Sequence, residues 1–396
     1  MGNKSLKSRF RIVFIGIIFL FIICLFILFI ASGIFLKPKY LQPWQKNYLQ
    51  KFIDPRIQLS ADGLLAASGH NMQPWKIKLD ADKNVFYLFC DSGRLSKEVD
   101  PFARQTMITQ GTFLEYVRVG GEKLGYKTNI VLFPDGEYDE RNLVDSMKRK
   151  PVAKITLSKV EPKKNYMYDY MFLPDTNRAA YKLTQLTSQQ VKKLQAINTK
   201  KDMKLMIFQD KQNIKKLGEY TMAGAKIESS IHSMNVESAN IFRDNEYQKN
   251  KYRYGYSVEG QGTTGIIKHV LQGSITLLPA LTDEKASADL FVKSTQVAVN
   301  GTPAYAMIIT KNNSRREQVE SGILYSRLIL EAHLLGLVMQ PVSQVLEEYP
   351  QMKEQYNKIH SDYAPQNGTI QMFVRMGEST KKFPQSMRRD VMDLVK

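Results

Sequence analysis

The chain has little cysteine, histidine or tryptophan: two, five and two residues in 396. Cys24 sits inside an apolar run and Cys90 in a predicted strand, so no disulfide framework holds this fold and a small stapled secreted domain is excluded. One cysteine outside the run and five scattered histidines leave no zinc-ligand spacing, and no metal site is expected. Acid is scarce relative to base, 38 Asp and Glu against 56 Lys and Arg, for a net charge of +18. A basic surface suits an anionic ligand or an anionic membrane face. Nucleic acid is the other standard partner of such a surface, but no nucleic-acid module signature accompanies the charge and no nucleic-acid partner is expected.

Charge is absent altogether from residues 12 to 36, "IVFIGIIFLFIICLFILFIASGIFL". A helix needs about 20 apolar residues to cross a bilayer. The run exceeds a signal-peptide core, and "ASG" makes a poor cleavage site, so an uncleaved single-pass signal anchor is predicted. Lys4, Lys7, Arg9 and Arg11 precede it with no acid among them. By the positive-inside bias the N-terminus is cytoplasmic and the globular part extracytoplasmic. Setting those four aside leaves 52 basic residues against 38 acidic, so the remainder is still basic at +14. The aromatic neck "KPKYLQPWQKNYLQKF" suits a membrane interface.

With 43% hydrophobic residues the chain can bury a sizeable core. Alternation predicts strands at 75–79, 85–90, 128–133 and 152–158, then at 203–208, 304–310 and through "IQMFVRMG". Helices are predicted at 104–125, 188–197, in stretches between 211 and 245, and at 315–336. Strands and helices alternate in both halves, which favours a layered architecture over a bundle or sandwich. The two long helices match at an offset of 211: Gly111 with Gly322, Phe113 with Leu324, Val117 with Leu328, Leu124 with Leu335, and Gly125 with Gly336. Two amphipathic helices also match at several apolar positions by chance.

"SGHNMQPWKIKL", residues 68–79, opens the first strand with a small, polar, proline-stopped loop. Small residues let backbone approach a flat ligand and amides offer donors and acceptors, although Gly, Asn and Pro also punctuate ordinary turns. With three later segments, "DTNRAAY", "LEAHLLGLVMQPVSQVLE" and "FPQSMRRDVMDLV", this loop resembles the FMN-dependent nitroreductase superfamily, in particular its Acg-like branch of two fused halves. The likeness runs over about residues 55–396 and is weakest across 210–300. Where the family has Pro-Ser-Ser-x-Asn-x-Gln-Pro-Trp, this chain has Ala67 for the proline and Gly69 for the second serine. Val342, Ser343 and Gln344 stand after Pro341 where reductases carry Ile-Glu-Gly.

The resemblance implies an α+β fold, a mixed sheet flanked by helices, with two related halves forming a pseudo-dimer in a monomer. The halves would be 41–174 and 175–396, after an anchor at 1–40, and an insert at about 211–300 is placed to act as a lid. It also implies one FMN, with Ser68, Gly69 and Asn71 against the ring, Pro341, Val342, Ser343 and Gln344 at its N5 edge, and Arg178 with Arg388 or Arg389 on the phosphate. NADH or NADPH would be the donor, and a nitroaromatic, quinone or similar small molecule the acceptor. No acid or base is assigned; His70 is the one nearby proton donor the sequence offers. The alternative is a protein that binds or sequesters FMN with little turnover.

Overall fold

The computed structural model describes residues 2–364 and 367–396, without the side chains of residues 2–7, so Lys4 and Lys7 of the basic flank lie outside the described side chains. Helix α1, Gly2–Ser32, carries a 25-residue apolar stretch, Ser8–Ser32, long enough to cross a membrane, exposed over most of its length and covered only toward its C-terminal end, where Ser32 is buried. Short 3-10 turns through the neck lead to α2, Pro55–Gly63, whose cap Asp54 accepts from the Arg56 N–H at 2.9 Å.

Two antiparallel four-stranded sheets follow. The first contains β1 (Trp75–Leu79), β2 (Val85–Cys90), β3 (Tyr126–Leu132) and β4 (Ala153–Lys159), in the order β1-β2-β4-β3. Helices α3 (Arg104–Leu124) and α4 (Leu143–Arg149) lie between its strands in sequence. After α5 (Ser188–Ala196) comes β5 (Met203–Phe208), then five helices: α6 (Lys211–Ser229), α7 (His232–Asn240), α8 (Glu246–Tyr252), α9 (Gly265–Leu277) and α10 (Glu284–Asn300). The chain ends with β6 (Ala304–Thr310), α11 (Arg315–Leu334), β7 (Val338–Pro341), α12 (Lys353–Tyr363) and β8 (Thr369–Gly377). The second sheet runs β5-β6-β8-β7, the same order as the first shifted by four strands.

The expected mixed sheet is therefore corrected to antiparallel pairing throughout, in two four-stranded sheets. Their parallel element is an edge contact: the C-terminal tail lays Val395 beside Ile77 of β1, and the Lys396 N–H donates to the Ile77 carbonyl at 2.8 Å. The tail thus leaves the second sheet and closes on the first.

Helices α3 and α11 cross at the centre, both buried over most of their length. A Cβ on Gly111 would strike the Val319 carbonyl, and one on Gly322 would strike the Ile108 carbonyl. These contacts are reciprocal at the offset of 211 seen in the sequence. The Ser326 hydroxyl donates to the Thr112 carbonyl at 3.2 Å across the same crossing, and Arg327 reaches Glu115 at 2.9 Å. Gly125 and Gly336 close the helices with φ of +79° and +75°, the left-handed conformation that glycine adopts without strain.

Candidate functional site

Between α2 and β1 the loop strains its backbone. His70, Asn71 and Gln73 all take positive φ, +49°, +53° and +51°. Left-handed conformations cost about 1–3 kcal/mol each for residues with side chains and persist only where their surroundings over-determine them. Here three elements do so. From α3, Thr109 Oγ1 accepts from the Gly69 N–H at 3.2 Å; within the loop, Ser68 Oγ accepts from the Gln73 N–H at 3.1 Å. The segment after α8 accepts from Asn71 Nδ2 at Gly255 (2.9 Å) and from Gln73 Nε2 at Arg253 (3.0 Å). From the tail, the Met387 carbonyl accepts from Asn71 Nδ2 at 3.0 Å, and the Arg389 N–H donates to Gln73 Oε1 at 2.8 Å.

Arg178 approaches from the segment before α5. The preceding Asn177 is buried and fixed, its N–H donating to the Met339 carbonyl at 2.9 Å and its Nδ2 to Ser379 Oγ at 2.9 Å. Arg178 itself remains accessible and makes one hydrogen bond, Nη1 to the Gly260 carbonyl at 3.2 Å. Its guanidinium is nevertheless desolvated by the surrounding protein, which lowers its pKa against the opposing pull of Asp175 and of Tyr181, Tyr256 and Tyr325. His70 shares this environment: desolvation lowers its pKa, Asp100 opposes and Arg178 adds to the lowering, so the neutral imidazole is favoured. The loop's outer side forms a hollow lined by Gly69, His70, Arg94, Asp100, Gln105 and Thr109.

The other expected residues are placed differently. Arg388 is 1% exposed, and its fork serves the protein: Nη1 to Asn71 Oδ1 at 3.0 Å, Nη2 to the Leu65 carbonyl at 2.8 Å and to Asp175 at 3.4 Å, with the guanidinium 4.5 Å from the Trp44 ring centroid. Arg389 is buried too and donates to the carbonyls of Gln73 (3.2 Å) and Asp393 (2.6 Å). Both hold the tail to the loop from behind. In Pro341–Gln344, Pro341 ends β7, and the Val342 N–H is spent on the Phe373 carbonyl at 2.9 Å while its side chain is buried beside Leu217 and Tyr220 of α6. The Ser343 hydroxyl exchanges hydrogen bonds with the Phe373 backbone, and Gln344 packs under α6 at Gly224. Side chains and amides expected to face a ligand are here taken up by sheet and core. Loop, Arg178 and tail are brought together; Val342 and Ser343 are turned into the fold.

Below the hollow, Gln105 Nε2 donates to Glu347 Oε1 at 3.3 Å, and Glu347 lies beside Glu228 of α6. Burial raises both carboxyls, Glu228 to about 7, and Glu347 is raised further by the Glu228 charge. A carboxyl whose folded pKa is raised binds more protons folded than unfolded between its unfolded value, 4.5, and its folded one. Stability is then greatest below 4.5 and falls as pH rises through about 7. Thermal melts of Glu228→Gln are expected to lack that part of the decline and to lie several degrees above wild type at alkaline pH, with little difference in acid. A wild-type decline unchanged in the variant would remove Glu228 from this account.

The residues that surround Arg178 and the loop without having been singled out are Gln73, Thr109, Asp175, Tyr256, Gly260 and Tyr325. Gln73 stood in the quoted motif. Asp175 opened the quoted "DTNRAAY", and the others join the site only through tertiary contact, with no local spacing to mark them.

No family model and no curated protein matches this chain. Among solved structures it is similar to a nitroreductase with bound FMN from Desulfitobacterium hafniense, at 10% identity over 57% of this chain and 95% of that one, TM-score 0.33. It is likewise similar to the FMN-dependent nitroreductase NfnB of Mycobacterium smegmatis in complex with NADPH, at 14% identity over 54% and 90%, TM-score 0.31. A BluB-like flavoprotein from Clostridium difficile gives 10% identity over 59% and 98%, TM-score 0.35.

Proposed function

We propose that this chain is a membrane-anchored FMN-dependent oxidoreductase of nitroreductase type, with two related halves arranged as a pseudo-dimer around one cofactor site. The observation that carries the reading is Arg178: a guanidinium accessible to solvent yet desolvated by the protein around it, making one hydrogen bond among the described residues, beside a strained loop of small and amide residues. A guanidinium fork suits phosphate oxygens. Gly69 leaves its backbone approachable, since an added Cβ would meet nothing closer than Gln105 Oε1 at 3.6 Å. FMN would be held by Arg178 at the phosphate and by the loop from Ser68 through Gly69 to Asn71 along the ring, the Asn71 amide itself being engaged by Gly255, Met387 and Arg388. Arg388 and Arg389 support the loop from behind, and Val342 and Ser343 are spent on the Phe373 backbone of the second sheet. When bound, FMN supplies hydride transfer, from NADH or NADPH to a nitroaromatic, quinone or similar acceptor. The protein's part is to position, to exclude water, and to present a neutral His70 as a hydrogen-bond partner. Residues 12–36 cross the membrane with the N-terminus cytoplasmic and the site outside.

A second reading, binding or sequestration of FMN with little turnover, is favoured by one observation. Residues 253–260 close across the loop through hydrogen bonds to Asn71, Gln73 and Arg178, as a cover would. An absorbance spectrum of the purified protein, followed by anaerobic titration with NADH and NADPH, separates the two: bleaching of the flavin band supports turnover, and a band unmoved by either donor supports sequestration. Released flavin is expected at about one per chain, because Arg178 and the loop each occur once; a ratio near two would overturn the single-site arrangement.

Arg178→Ala removes charge-assisted hydrogen bonds of about 1.5–3 kcal/mol each, so FMN affinity is expected to fall roughly tenfold to a hundredfold. The melting temperature of the apoprotein should not change, since the side chain supports no core. Unaltered FMN affinity would move the phosphate elsewhere.

A further inference from the structure

Helix α9 is built the wrong way round for a helix facing water. Its polar residues at Lys268, Gln272 and Thr276, spaced by four, point inward to α8: Lys268 Nζ lies 3.0 Å from Glu246, Gln272 Nε2 donates to Glu246 at 3.1 Å, and Thr276 Oγ1 accepts from Asn245 Nδ2 at 3.1 Å. Its apolar residues point out. Ile266 and Ile267 are 68% and 67% exposed, Leu271 and Leu277 are also exposed, and Leu278 and Leu281 continue the face through the following turn. A soluble surface helix shows the opposite arrangement. No charge interrupts the chain from His269 to Thr282. Uncharged apolar segments of about 10–14 residues are buried core helices or re-entrant and interfacial membrane segments. The outward face of α9 excludes the core.

What covers that face follows from where α9 is seated. His269 Nδ1 lies 3.2 Å from Ser32 Oγ, and one turn later Gly273 sits so close to the Leu28 carbonyl that a Cβ would not fit. Residues 269 and 273 thus descend along α1 past residues 32 and 28, in the opposite sense. A small residue admitting the backbone of its neighbour is how helices associate in lipid. Leu28 belongs to the apolar stretch Ser8–Ser32 and lies about 6 Å below Ser32, at 1.5 Å per residue. Where α1 is in the bilayer, α9 is held against it there. The joint is rigid: the Tyr40 hydroxyl donates to Glu246 at 2.8 Å, Lys249 pairs with Glu246 at 2.8 Å, Asn250 Nδ2 donates to the Lys37 carbonyl at 3.0 Å, and Asn250 Oδ1 accepts from the Lys39 N–H at 2.8 Å.

We propose that α9 and the turn after it, residues 266–281, form a second membrane element, dipping into the outer leaflet beside α1 with Ile266, Ile267, Leu271, Leu277, Leu278 and Leu281 against lipid acyl chains. The proposal rests on the reading of α1 as a membrane span. It makes residues 211–300 more than a cover: the part over the loop, 253–260, is followed within a few residues by the helix that seats the body on the bilayer.

The test uses the full chain in phosphatidylcholine vesicles, with bimane on single cysteines and lipids brominated along the acyl chain as quencher. Cys24→Ser removes the exposed native thiol, and Cys90 is buried. Phe19→Cys reports the span, Leu271→Cys and Leu281→Cys report the proposal, and Lys353→Cys on the exposed start of α12 is the solvent control. Bimane at 271 and 281 is expected to lose most of its emission, as at 19, while 353 keeps it. Quenching at 19 without quenching at 271 and 281 overturns the proposal and leaves the span standing. No quenching at any of the three overturns both. Quenching at 271 and 281 without 19 overturns the span and, with it, the seating of α9 beside α1 in the outer leaflet.

Discussion

Replacing Gly322 by valine is expected to destabilise the fold by at least about 3 kcal/mol, the upper end of what overpacking a core costs. The reason is backbone rather than side chain. A Cβ at Gly322 meets the Ile108 carbonyl and lies 3.1 Å from the Cα of Gly111, and neither can rotate away as a flexible side chain would. Relief requires the two central helices to separate, which would open the packing of Thr112, Glu115, Ser326 and Arg327 at the crossing. Gly111→Val strikes the Val319 carbonyl in the same manner and should lower the melting temperature by a similar amount. Gly336→Ala is the control: nothing lies within 4 Å of an added Cβ, so it bears only the left-handed backbone penalty of about 1–2 kcal/mol. Melts in one detergent, with the three variants side by side, decide this. A Gly322→Val protein no less stable than Gly336→Ala would mean that the helices do not cross so closely.

That crossing shows what the sequence made legible. The matched glycines at an offset of 211 were visible, and so were most strands, because alternation of apolar residues marks a half-buried surface. β7 was not, since four residues ending in Pro341 carry too little pattern. The sequence did not reveal which way α9 faces, because an apolar stripe looks the same whether it meets a core or, as in α9, points outward. Of the candidate site, the small and amide residues of the loop at 68–73 and the motif around Arg178 could be picked out in the sequence, and the fold brings them together under residues 253–260. The inward turn of Arg388 was not, because a pair of arginines looks the same in sequence whether its forks meet a phosphate or the chain's own carbonyls.

Arg388 accordingly carries the second large expected effect, and on stability rather than on affinity. Its guanidinium is buried and donates to Asn71 Oδ1, the Leu65 and Ala66 carbonyls and Asp175, tying the C-terminal tail to the loop and to the end of α2. Arg388→Ala leaves those acceptors buried and Asp175 without its cation. Breaking a buried pair by removing one partner costs roughly 3–5 kcal/mol, because the remaining charge is uncompensated. The variant is therefore expected to melt well below wild type with or without FMN. Arg388→Lys should recover only part of the loss, since an ammonium restores the charge but not the planar fork that reaches Asn71 and Leu65 together. Arg178→Ala provides the contrast, with FMN affinity lowered and the apoprotein melt unchanged. If Arg388→Ala melts like wild type and loses FMN instead, its guanidinium turns toward the cofactor in solution, and the tail must be held to the loop by Arg389 and Gln73 alone.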